Sequence, residues 1–85
     1  MKARAFEKAV WEIERIRIVI HAPNGTELDD YTYEKAATKN WSIKELGEKR
    51  IAPCLNAMTY AVIQGNGKNA HGGASVQTVR DSYAE

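Results

Sequence analysis

One cysteine, Cys54, is all the chain carries in 85 residues, so no disulfide can form within it and a reducing, cytosolic setting is expected. Long apolar runs are missing too. No stretch approaches the roughly 20 residues of a membrane-spanning helix. The opening Met1-Lys2-Ala3-Arg4-Ala5-Phe6 leads into no apolar segment of signal-peptide length. An excess of either charge is absent as well. Twelve basic against eleven acidic side chains leave a net charge of +1. That balance fits neither a dedicated nucleic-acid binder nor an acidic DNA mimic. No internal repeat, low-complexity run or linker stands out.

What is present suits one small folded domain spanning residues 1–85, with 44% hydrophobic and 27% charged residues. The charge is grouped along the chain. Residues 1–22 hold five basic and three acidic groups, whereas 23–34 hold Glu27, Asp29, Asp30, Glu34 and no base. Residues 35–50 return to five basic and two acidic groups. Alternating patches of this kind suit a protein–protein surface, where charge sets orientation and on-rate.

Ile16, Ile18 and Ile20 alternate with Arg15, Arg17, Val19 and His21, a strand pattern with β-branched residues on its core face. Trp11 and Ile13 lie on the opposite phase. One reading is a long strand from about Lys8 to Ala22 with a bulge near Glu14 and Arg15. The other is a helical stripe of Phe6, Val10 and Ile13 feeding a shorter strand; the bulged strand is preferred for its isoleucine, valine and tryptophan content. Asn24-Gly25 then turns the chain. Tyr31, Thr32 and Tyr33 suit a short edge strand, guarded by Asp29, Asp30, Glu34 and Lys35. Ser42 and Glu45 spell a capping box after Trp41, opening a helix with Ile43, Leu46, Arg50 and Ile51 on one side. Gly47 costs that helix about 1 kcal/mol, and Pro53 ends it at Ala52. Met58, Tyr60 and Val62 mark a further strand, and Val76, Val79 and Tyr83 a last helix capped by Ser75. The expected fold is α+β: an antiparallel sheet of about three strands with two helices on one face, in the order β-β-α-β-α.

Four of the six glycines fall between Gly65 and Gly73, after the third strand. Gly65-Asn66-Gly67-Lys68-Asn69-Ala70 has the outline of a dinucleotide fingerprint, but Gly72 and Gly73 interrupt the helix that motif needs. A phosphate loop fails also, because Gly67-Lys68 lacks the following Ser or Thr. Catalysis has little to stand on: Cys54 reads as a small buried hydrophobe, and His21 and His71 show no spacing with it. Glu27, Asp29, Asp30 and Glu34 lack calcium-loop spacing, so neither metal nor cofactor is expected. The amides of Val76, Gln77 and Thr78, beside Lys68 and His71, offer a place for an anion. Lys44, Lys49 and Arg50 on the helix, and Arg15 and Arg17 on the strand, are candidate phosphate contacts. Their interleaved glutamates favour an ion-paired surface over a nucleic-acid one.

In size, mixed charge patches and lack of catalytic signatures, the chain resembles the small phage and mobile-element proteins of the anti-CRISPR type. The resemblance implies a non-enzymatic inhibitor that binds a host protein or nucleoprotein complex. Lys68, His71 and Arg80 are the expected partner contacts, with the acidic Glu27, Asp29 and Asp30 as a second region. A small nucleic-acid binder using Lys44, Lys49, Arg50 and the glycine-rich loop is the alternative.

Overall fold

The computed structural model describes residues 1–23, 25–55 and 58–83. Its order is α1 (Ala3–Glu14), β1 (Arg17–His21), α2 (Ile43–Leu46), β2 (Thr59–Ile63) and α3 (Val76–Ser82). After α2 the chain continues as a π-helical turn, Gly47–Ile51, and a 3-10 turn, Ala52–Cys54. The α+β class stands, but the described sheet has two antiparallel strands rather than three, and the helices number three rather than two.

The difference begins at the N-terminus, where the preferred long strand is overturned. Phe6, Val10 and Glu14 recur at i, i+4 and i+8 and are buried along one side of α1. The phase change at Glu14 and Arg15 is therefore a helix end, not a bulge. Arg15 closes α1 in the left-handed conformation at φ 56°, its N–H donating to Trp11 O. Two residues later β1 runs back along the helix, with Ile18 and Ile20 inward and Arg17, Val19 and His21 outward. Tyr31–Tyr33 forms no strand. Its surroundings are held by side chains instead, as described below.

β2 pairs with β1 in the register Arg17↔Ile63, Val19↔Ala61, His21↔Thr59. The end of this ladder is completed by a phenol: Arg17 N–H donates to Tyr83 Oη, and that hydroxyl donates to Ile63 O. The core lies on the other face of the sheet, where Ile18, Ile20 and Val62 join Phe6, Val10 and Ile16. Leu46, Ile51, Leu55, Val76 and Val79 complete it from the remaining elements.

The caps expected from sequence form. Ser42 Oγ accepts from Glu45 N–H while the Glu45 carboxylate accepts from Ser42 N–H, and Ser75 Oγ accepts from Thr78 N–H. Gly47 is explained by space: a Cβ there would lie 1.7 Å from the Tyr60 hydroxyl. The glycine-rich segment is tied down along its length. Gln64 N–H donates to Lys68 O and Ala70 N–H to Val62 O, making a tight hairpin with Gly67 at φ 82°. Lys44 N–H then donates to Gly72 O and Ile43 N–H to Ala74 O, stitching the segment to the start of α2.

Candidate functional site

Two polar assemblies stand out, and one of them consumes residues that the sequence had offered to a partner. Glu14 is fully buried, and its carboxylate accepts from Tyr31 Oη at 2.6 Å and Ala37 N–H at 2.7 Å. Arg50 Nη1 approaches it at 2.5 Å and Arg80 Nη2 at 3.4 Å, with only 14% and 19% of those side chains exposed. The same guanidiniums also reach main-chain carbonyls: Arg50 that of Lys35, Arg80 those of Glu14 and Ala37. A buried charge must be paired and hydrogen-bonded to be tolerated, and this one is. Burial, and then the bond to Glu14, raise the Tyr31 phenol well above its usual range, which keeps it a donor. The hub nails the irregular segment around Tyr31–Ala37 to α1 without any sheet pairing.

Arg80, expected as a partner contact, and Arg50, expected as a phosphate contact, instead turn their guanidiniums inward to Glu14, which leaves little of either side chain exposed. Lys44 and Lys49 stay on the surface, 4.0 Å from Glu48 and 3.6 Å from Glu45, in the i,i+4 pairs read from the sequence. Glu27, Asp29 and Asp30 are exposed. Glu27, however, lies 2.7 Å from the Met1 amino group and 3.0 Å from Lys2 Nζ, so its charge is largely answered within the chain. The hydrogen bonds to that amino group and to Lys2 lower its pKa to about 2. Lys68 and His71 are exposed on the glycine-rich segment, where His71 Nδ1 accepts from Gly73 N–H. The anion site at the start of α3 does not survive. Val76 N–H donates to Trp41 O and Thr78 N–H to Ser75 Oγ, so two of its three amides are taken.

Cys54, the nucleophile weighed in the sequence, has its sulfur against the carbonyls of Arg50 and Asp30, 3.7 and 3.8 Å away. Burial, and then the nearby Asp29 charge, push its thiol pKa up, away from a reactive thiolate. His21 is turned toward Thr59 Oγ1.

The second assembly is an open groove of about 710 Å3 beside the outer face of the sheet. One wall is α1, which contributes Arg4, Glu7, Lys8 and Trp11; the floor is Arg17, Ile18, Val19 and Ile63. Val19, 46% exposed, is one of two large apolar side chains left open on the surface among the described residues. Trp11 is the centre of charge as well as shape. The Arg15 and Arg17 guanidiniums both stand 5.6 Å from its ring, and Tyr83 meets it edge-on at 5.4 Å. Arg15 holds a left-handed backbone that costs a residue with a Cβ roughly 1–2 kcal/mol and is usually given to glycine. Arginine there sends a second guanidinium over Trp11. Glu7, the one carboxylate of the wall, is occupied, accepting from Ile20 N–H at 2.9 Å. Lys8 makes a long exposed pair with Glu12 at 3.8 Å, while no ion pair involves Arg4, Arg15 or Arg17 among the described residues.

Sequence reasoning places Arg15 and Arg17 on an outer strand face and Trp11 on the opposite phase from the isoleucines. It missed that a helix brings Arg4 and Lys8 to the same place. The signal was the i, i+4 spacing of Arg4, Lys8 and Glu12, which on α1 forms a single row. Compared with known proteins, the chain matches no family model, no curated protein and no solved structure.

Proposed function

We propose that the chain is a non-enzymatic interaction protein that docks an acidic partner in the groove between α1 and β1. The observation carrying this reading is the convergence of Arg4, Lys8, Arg15 and Arg17 around Trp11 above an apolar floor. An aromatic anchor beside arginines is the composition that contributes most to protein interfaces. Stoichiometric inhibition of a host protein or nucleoprotein complex, as in the anti-CRISPR type, is the activity such a surface would serve. The test is capture from host lysate with wild-type protein and with Arg4→Glu/Arg17→Glu. A partner retained at equal stoichiometry by the first and lost by the second, with both folded, is expected. Equal capture by both would sink the assignment.

The exposed cations with Trp11 also suit nucleic acid, which is the second reading. Gel shifts at two salt concentrations separate it, since phosphate contacts make affinity fall steeply with salt. The near-neutral net charge and the apolar floor beside the groove's cations favour a protein partner.

A further inference from the structure

Resting on that reading, we infer that the groove takes a short extended peptide of the partner, acidic and bearing an apolar side chain. Charge complementarity selects it. Arg4, Lys8 and Arg17 line the groove, and its only carboxylate, that of Glu7, is engaged by Ile20 N–H. The apolar requirement comes from Val19 and Ile63, which lie on neighbouring strands of the outer sheet face and would cover one aliphatic or aromatic group.

The extended form follows from the main chain. Ile20 N–H points away from β2, toward Glu7. Val62 O likewise points away from β1, toward Ala70. Ile18, paired with Val62 and two residues before Ile20, therefore turns its N–H to the groove edge of β1. Its side chain is in the core, so what Ile18 shows the groove is main chain. A peptide carbonyl or carboxylate placed there repeats, one pleat along, the bond Glu7 already makes to Ile20. A strand-like ligand would then lay alternate side chains on the apolar floor and toward the arginines.

The probe is a fluorescein-labelled peptide of about six residues alternating Glu and Leu, long enough to follow β1 at ~3.3 Å per residue. Anisotropy titrations compare it with its Lys-Leu counterpart and with an oligothymidine of equal charge. Saturable binding of the Glu-Leu peptide alone is expected, weakened at least tenfold by Arg4→Glu/Arg17→Glu and accompanied by shifts of the Ile18 amide and Trp11 indole resonances. Absence of saturable binding, or binding indifferent to the charge reversals, overturns the peptide assignment. If lysate capture still depends on Arg4 and Arg17, the groove reading survives that failure; if it does not, both fall. Tighter binding of the oligothymidine through the same residues assigns the groove to nucleic acid. A concentration-dependent dimer broken by the same reversals assigns it to a second copy of this chain.

Discussion

Replacing Glu14 by Gln keeps the size of the side chain and removes the charge that two guanidiniums were folded to meet. Arg50 and Arg80 would be left mostly buried and facing an amide, whose NH2 also opposes the donors of Tyr31 and Ala37. Breaking one side of a buried ion pair costs about 3–5 kcal/mol. An 85-residue domain has in all roughly 4–13 kcal/mol at ~0.05–0.15 kcal/mol per residue. The variant should therefore melt at least ~12 °C lower, at ~4 °C or more per kcal/mol for a domain of this size. Thermal and urea denaturation followed by circular dichroism measure it. Coupling is tested in the same series: Arg80→Met should cost much less in the Glu14→Gln background than alone. A loss below about 1 kcal/mol in Glu14→Gln, or an Arg80→Met cost unchanged by the absent charge, would refute the hub. Lys68→Glu is the contrasting control. It changes an exposed hairpin residue and should stay within about 0.5 kcal/mol.

Further outcomes are expected elsewhere. Gly65→Ala should destabilise by ~1–3 kcal/mol, because its Cβ would lie 1.8 Å from Ser82 O, a main-chain atom with little room to move; a neutral result in urea melts would show that the end of α3 yields freely. Tyr83→Phe removes the hydroxyl between Arg17 N–H and Ile63 O, so it should cost about 1 kcal/mol per lost bond and speed amide exchange at Arg17. Cys54, half-buried and with its thiol raised by burial and then by Asp29, should react with Ellman's reagent at pH 8 more slowly in the native than in the urea-unfolded chain; equal rates would count against that shielding. Glu27 has a folded pKa lowered from 4.5 to about 2, so its contribution is present above pH 4.5 and is lost as pH falls toward 2. Glu27→Gln should flatten the acid limb of the stability curve between those values.

The sequence made the right half of the protein readable and misdirected the left half. The capping box at Ser42, the cap at Ser75 and the stripe Val76, Val79, Tyr83 are local signals, complete within a turn or two of helix. They appear in the fold as read. Residues 8–22 failed because Phe6, Val10 and Ile13 compete with β-branched Ile16, Ile18 and Ile20, and composition was weighed above spacing. No glycine marks the end of α1, since Arg15 holds the left-handed position that glycine would have advertised. Glu14 was illegible for a different reason. Between Ile13 and Arg15 it reads as a surface acid, and the groups that make its burial tolerable stand at residues 31, 37, 50 and 80. Arg80 was mistaken for a surface residue by the same route. The groove was half legible, as Arg15, Arg17 and Trp11 were noticed separately and only the helix unites them with Arg4 and Lys8.

The wide sequence spacing of the hub has a consequence for how the chain comes together during synthesis. A ribosome completes α1 long before it makes Arg50, and Arg50 long before Arg80. Until Arg50 is available, a native-like burial of Glu14 would trap a carboxylate with no countercharge, and until Arg80 follows it lacks one of its charged donors. Compact states that dock α1 before Arg50 is made are therefore penalised, at a position fully buried in the finished protein. A chain stalled before α3, lacking Arg80 and the core residues Val76 and Val79, should therefore be more protease-sensitive than the 85-residue chain.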